Sequence, residues 1–437
     1  MKNTMTKPLL FVSLAALSFL GLSQVSHAGR GGVGSAIVVT PTISNWTALL
    51  GSTTTDYGND IDVDALGNLV VVGDTFGSVN GATLQGSLDG FIAKYDQDGL
   101  LLWSQQLGTV ALDRYNGVTI DSNGNVYAIG SSQGNLAATN LGGYDIVLSK
   151  HDSSGNLLWV KQYGSSASDH GSSVATDSLG NVYICGETGG SLGGSNTSFN
   201  SDAYIAKLDA DGNMLWIDQF SSTLQLGNGE DCSDLAVDVN NDIYITGYTP
   251  GALVAGASGA EFYVKKYNSN GSVVWLTQRD SVYTNISNSI AVDASGNSYI
   301  VGSGALDSAV SGLDDAFIVK FDTAGVEQWA ALVQSSDRES FNGIAVDDAG
   351  NVFASGFTDG SVAAANTGDT DIIFARYDTN GAQLSLVQSA TTSWDRSNGI
   401  AVNDSGTDYY LVGNTDGALD GEINNGANDL FLTRNRP

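Results

Sequence analysis

Basic residues are scarce in this 437-residue chain: 17 Lys and Arg stand against 47 Asp and Glu, a formal net charge of -30. A surface of that sign repels phosphate backbones and anionic lipid, so nucleic acid and unaided membrane docking are not expected. Cations, polycationic partners and neutral glycans remain compatible, and the charge also serves simply to keep an exported protein soluble. Cysteine is nearly absent, with only Cys185 and Cys232. Long apolar runs are missing beyond the N-terminus, where Leu9 to Leu22 is too short for the roughly 20 apolar residues of a membrane span. Histidine is almost missing too. Past residue 28 only His151 and His170 occur, with no two-His zinc helix, Ser nucleophile elbow or phosphate-cradling Gly loop. Carboxylates are plentiful enough to leave a carboxylate-pair hydrolase or lyase chemically open, but no pair stands out.

The first residues read as a signal peptide. Lys2 and Lys7 give a basic start, an apolar stretch follows, and Ser26-His27-Ala28 offers small residues at a cleavage site. Residues 1–28 are thus expected to be removed and 29–42 to form a leader. The loss of two lysines and no acids would move the charge from -30 to -32.

What is abundant is glycine, at 55 residues, alongside 42% apolar residues, enough to bury a core. The chain repeats itself. Trp46, Trp103, Trp159, Trp216, Trp275 and Trp329 recur 54 to 59 residues apart, with Ser385 at the next place. Each period holds four short alternating segments divided by turn signals, as in Val118-Thr119-Ile120, Val126 to Ile129, Asp145 to Lys150 and the segment at Trp159. Tight turns follow the first and third segments; longer, variable loops follow the second and fourth. This pattern predicts one all-β domain over 43–437, a single seven-bladed β-propeller of four-stranded blades. The last period lacks a fourth strand after Arg434. Trp46-Thr-Ala-Leu-Leu-Gly51 matches the fourth-strand segments Trp103 to Gly108 and Trp159 to Gly164, so an N-terminal strand is expected to complete the last blade and close the ring.

The run Asp-x-x-Gly-Asn-x-Tyr-x-x-Gly from Asp121 to Gly130, followed by Asp-x-x-x-x-Lys-x-Asp and then Gly and Trp, resembles the bacterial SBBP-type β-propeller repeat. The likeness recurs in all seven periods and departs at Asn241-Asp242 and Ser385. It implies an extracytoplasmic propeller (secreted, periplasmic or on a bacterial cell surface) and carries no catalytic residues with it.

Third strands pair an acid with a base five residues on, from Asp89/Lys94 to Asp429/Arg434. The odd spacing puts the two side chains on opposite faces, so each is expected to bond a neighbouring turn or blade. Asp96-Gln-Asp-Gly99 and Asp209-Ala-Asp-Gly212 look like the start of a Ca²⁺ loop, but position twelve would be Leu107 or Phe220 rather than Glu. Tight hairpin turns explain them better. No cofactor is expected, apart from weak, dispersed Ca²⁺ binding.

Binding residues concentrate on variable loops of a rigid scaffold, here on the face opposite the tight turns. Before each first strand an acid recurs: Asp56, Asp113, Asp169, Glu230, Glu339 and Asp395, with Asn285 in the fifth copy. Three residues on come Asn59, Asn116, Ser172, Ser233, Asn288, Asn342 and Asn398. Two readings apply: a cation or polyol site at the channel mouth, or capping of the loop backbone in every blade. Arg114, His170, Arg338 and Arg396 sit in the same loops and either anchor an anionic group or pair locally. Cys185 and Cys232 fall on adjacent blades near that face, placed for a disulfide.

The expected function is a non-enzymatic binding or scaffold propeller that presents a loop-rich acidic face to a protein or glycan partner. The protein is expected to be a monomer with no nucleic acid partner and no membrane span. A metal-dependent hydrolase or lyase using channel-mouth carboxylates, and a structural cell-surface component, are the alternatives.

Overall fold

The computed structural model describes residues 45–436, apart from 195–199, 223–228, 258–259, 280–283 and 307–313. The expected signal segment 1–28 and leader 29–42 lie outside the described residues. Seven antiparallel four-stranded sheets follow one another along the chain. In blade one the strands are Asp56–Val63, Leu69–Thr75, Asp89–Tyr95 and Leu101–Leu107, in that order from the axis outward. Among the described residues no helix is long and apolar enough to cross a membrane.

Ring closure follows the sequence expectation. The last sheet is built from Asp395–Val402, Tyr409–Thr415, Asp429–Asn435 and, as its outer strand, Trp46–Leu50. Trp46 lies opposite Arg434, just as Trp103 lies opposite Lys94 and Trp159 opposite Lys150. The N-terminal strand therefore sits in the register of a fourth strand, and the last blade has four strands like the other six.

The second strands read as unbroken apolar runs because both of their faces are covered. In blade one, Val71, Phe91 and Ala93 pack against Tyr410, Val412, Leu430 and Leu432 of blade seven. Val70, Val72 and Ile92 point the other way, against Val118, Val126 and Ala128 of blade two. Each such side chain contributes roughly 1.5–3 kcal/mol when fully buried, so the blades are held chiefly by their shared cores.

Polar links then fix the angle between blades. Trp46, Trp103, Trp275 and Trp329 each donate Nε1–H to a turn carbonyl of the next blade: Gln97, Ser153, Thr323 and Thr379. Those turns need glycine: Gly155 has φ +85°, and a Cβ there would meet Trp103 at 2.7 Å. The third-strand bases reach turns as expected. Lys94 pairs with Asp64 at 3.3 Å, Arg434 with Asp408 at 3.0 Å, and Lys320 donates to the Thr379 carbonyl of the next blade. Lys150, Lys207, Lys266 and Lys320 also lie over second-strand tyrosine rings at 4.6–5.0 Å. The third-strand acids accept from fourth-strand glutamines, Gln106 to Asp89 and Gln162 to Asp145. Both members of each pair are thus structural.

Cys185 and Cys232 form a disulfide, with Cα atoms 5.7 Å apart. Its place corrects the expected one. Cys185 is in the middle of the strand Val182–Thr188 rather than at its end, and both cysteines are fully buried in the core shared by blades three and four. The bond closes a sequence separation of 47 residues, which restricts the unfolded chain by about 4 kcal/mol in the chain-entropy description. Unfolded, unreduced protein should titrate with no free thiol, and reduction should lower the melting temperature. Two free thiols would contradict the pairing.

Candidate functional site

The loop-face acids are buried, not displayed. Asp56, Asp113, Asp169, Glu230, Glu339 and Asp395 are between 0% and 2% exposed. Asp56 accepts from Ser52 N and Oγ, Asp113 from Thr109 N, and Asp169 from Ser165 N. Glu230 accepts from Ser222 N, Glu339 from Ser335 N, and Asp395 from Thr391 N. A second-strand hydroxyl adds a further bond in several blades, such as Ser132 to Asp113 and Thr188 to Asp169. Asn285 fills the fifth place by accepting from Leu306 N and donating to Glu261. Of the two readings of these acids, capping of the loop backbone is therefore the one the hydrogen bonds bear out. Burial holds the Asp56, Glu339 and Asp395 carboxyls above their ordinary range, against the hydrogen bonds that lower them.

The residues three positions on do face the axis. Asn59, Asn116, Ser172, Ser233, Asn288, Asn342 and Asn398 all line an axial cavity of about 290 Å³. Six of them coincide with register shifts in the first strands, as between Gly58 and Asp60 or between Tyr115 and Gly117. A bulge re-aims the extra side chain, here along the ring. Asn59 Nδ2 donates to the Tyr115 carbonyl, Asn116 to Gly171, Asn288 to Phe341, Asn342 to Ser397 and Asn398 to Gly58, at 2.8–2.9 Å. Blade is thereby stapled to blade, including across the chain's closure.

One layer deeper the symmetry breaks. The equivalent positions carry Asp60, Gly117, Ser173, Asp234, Ser289, Gly343 and Gly399, all lining the cavity except Gly117. Asp234 accepts from Ser173 Oγ at 2.6 Å on one side and from Ser289 Oγ at 2.7 Å on the other. Asp60 accepts from Val118 N and Asp62 from Ile120 N, both in blade two. Gly117 leaves no room for a side chain, since a Cβ there would meet the Ser172 carbonyl at 2.8 Å. Enclosure by the channel wall pushes Asp60 up to about 8 and Asp62 to about 6, and it also raises Asp234; the charges of Asp234 and Asp62 further oppose the ionisation of Asp60. These three acids were not among the residues singled out from sequence. The available signal was their departure from the small residues of the other copies.

The rim of the channel on the loop face is set by the residue after each capping position: Tyr57, Arg114, His170, Asp231, Ile286, Ser340 and Arg396. Neighbouring second-strand residues add Asp74, Glu187, Tyr248 and Phe357. Arg114 is exposed and lowers the Asp74 carboxyl, though burial dominates and holds it at about 7. His170 shares a hydrogen bond with Ser131 through Nδ1 and lies 4.8 Å from the Tyr144 ring. Arg338 is paired with Asp359 at 3.1 Å. Among the described residues Arg396 has no ion pair within 4 Å. Its guanidinium lies over Phe357 at 3.9 Å and Trp394 at 4.7 Å, and its buried Nε has no partner. Of the four expected bases, the structure thus brings Arg338 and Arg396 together around Phe357. Arg114 and His170 belong to other blades. On the blade three to four side, Glu187, Ser201, Asp231 and Tyr248 line a separate open hollow of about 610 Å³.

The turn face is chemically repetitive but not flat. Between the turns of blades one and two lies a hollow of about 530 Å³ lined by Asp64, Lys94, Asp121 and Ser153. Asp64, Lys94 and Asp121 belong to the pattern repeated in every blade, so the hollow offers little to distinguish one ligand from another.

Comparison with known proteins gives the SBBP β-propeller repeat at residues 102–137 and 158–193. The resemblance read from the sequence is thus met at two of the blade boundaries. A stretch of 135 residues, 26% of this chain, is 28% identical to an uncharacterized WD repeat-containing protein of Acanthamoeba polyphaga mimivirus. Another of 198 residues, 41% of the chain, is 26% identical to the regulatory protein FlaEY of Caulobacter vibrioides. The matches span 10% and 20% of those two relatives. A solved structure of a protein of unknown function from Bacteroides caccae is 10% identical, with a TM-score of 0.39, over 68% of this chain and 90% of that one.

Proposed function

We propose that this chain is a non-enzymatic binding propeller, exported by residues 1–28 to the periplasm, cell surface or exterior of a bacterium, whose loop face holds a protein or glycan partner. One observation supports this above the others. The caps, bulges, latches and turns recur from blade to blade, whereas the rim position yields Tyr57, Arg114, His170, Asp231, Ile286, Ser340 and Arg396. A fold that needs the same residue at every structural position has no need of such variety at the rim, and a recognition surface does. The monomeric state and weak, dispersed Ca²⁺ binding belong to the same reading. The hydrolase or lyase alternative loses its footing at the six loop acids, which are occupied with backbone amides.

The test is a glycan array and a capture experiment from the source cell, run with the mature protein and two variants. The loop-face variant carries Arg114→Ser, His170→Ser and Ile286→Ser. The turn-face variant carries Leu66→Ser, Gln97→Ala and Ser153→Ala. All six positions are at the surface or half-buried, so both variants should fold. Capture should fall with the first and persist with the second; the reverse pattern would put function on the other face.

A further inference from the structure

We propose that Arg338 and Arg396, with Phe357 and Trp394, form a seat for a single carboxylate presented by a protein partner; this rests on the loop-face binding function proposed above and specifies its chemistry. The two guanidinium groups share one ring, Phe357, at 5.1 and 3.9 Å. Among the described residues one carboxylate, Asp359, bears on both, and it pairs with Arg338 alone. Asp359 turns Oδ2 to Arg338 and commits Oδ1 to Thr370 Oγ1. Among the described residues the Arg396 side chain is left with two aromatic faces and no hydrogen bond, its Nε buried and unpaired. An unpaired buried donor is costly, and a second guanidinium beside it adds repulsion. Arg376 also has an unpaired buried Nε, over Phe353, but Arg396 alone of the two shares its ring with a second guanidinium.

A guanidinium fork matches the planar, two-oxygen geometry of a carboxylate, and two of them here share the Phe357 ring. The aromatic rings hold Arg396 in place, so little ordering is needed when the anion arrives. The rest of the molecule selects the source of the carboxylate. A polyuronate or sulfated chain would drag many anionic charges across a surface of net charge -30. A protein can present one Asp, Glu or C-terminal carboxylate among neutral or basic neighbours. Basic neighbours would meet Glu187 and Asp231 on the opposite side of the rim.

The experiment follows the Arg Nε–H signals of arginine-labelled mature protein by NMR during titration with N-acetyl-glutamate amide, N-acetyl-glutamine amide and glucuronate. Arg338→Gln and Arg396→Gln assign the two signals. The glutamate probe should move both signals saturably at millimolar concentration, and the glutamine probe should leave them still. Either single variant should weaken glutamate binding by roughly tenfold. Arg396→Lys should not restore it, because an ammonium lacks the fork. Equal response to glutamate and glutamine, or no saturation with either, would overturn the seat. Tighter binding of glucuronate than of the glutamate probe would overturn the choice of a protein source. If the loop-face variant of the capture experiment loses its partner while Arg338→Gln and Arg396→Gln keep it, the seat fails and the loop-face function stands.

Discussion

A chain that begins at Ser52 should melt about 6 °C below one that retains the N-terminal strand. Removing Trp46–Leu50 strips five residue pairings from Asp429–Asn435 and uncovers Leu430, Phe431 and Leu432, all fully buried in the intact ring. It also removes the Trp46 latch to the Gln97 carbonyl of blade one. Lost packing of Trp46, Leu49 and Leu50 against the two adjoining cores is worth on the order of 5 kcal/mol, enough for such a shift. The bare strand edge should promote association of the truncated protein, and a synthetic peptide covering residues 44–51 should reverse both effects. An unchanged melting temperature would mean that the ring is not closed by this strand.

The second large effect concerns the channel. Asp60 holds its proton to about pH 8 in the folded protein, against an ordinary value of 3.8. The folded state therefore binds that proton more tightly than the unfolded state does. The resulting stability is fully present below about pH 4 and is lost as the pH rises through 8. Asp62 adds a loss in the same direction near pH 6. Water in the channel moderates the effect, so we expect Asp60→Asn to be more stable than the parent by ~2 kcal/mol at pH 9 and nearly equal to it at pH 4. The Asn oxygen can still accept from Val118 N, which keeps the variant's wall intact. Melting curves across pH 4 to 9 check this, and parallel curves for parent and variant would show that Asp60 ionises freely.

The periodicity of Trp, Asp and Gly made the fold legible because each repeated residue meets a need that recurs seven times. Trp latches a turn, Asp caps one, and Gly155 occupies a left-handed conformation under an indole ring. Whatever depends on one copy alone was harder to see. Asp60, Asp62 and Asp234 stand where other blades have Gly, Ser, Thr or Ala, and a search for shared residues passes over them. The acids at Asp56 and its counterparts left two readings open, and capping prevailed: a residue required in nearly every copy is more economically a loop cap than a ligand. The alternation pattern could not show the bulges that turn Asn59 and its equivalents along the ring, because a bulge adds one residue without changing composition. The disulfide was legible as a pairing but not as a depth, since Cys185 lies mid-strand in the core between blades. Arg396 was visible as an asymmetric base, whereas its lack of a partner depends on where Asp359 and Thr370 come to lie.

The most direct test of recognition through the loop face is hydrogen–deuterium exchange on the complex with whatever partner the capture experiment recovers. Protection on binding should fall on the segments entering the first strands, 109–115, 165–171, 335–341 and 391–397, and spare the turns at 96–100, 152–156 and 378–382. Protection of those turns, with unchanged exchange at the rim, would contradict the assignment of function to this face.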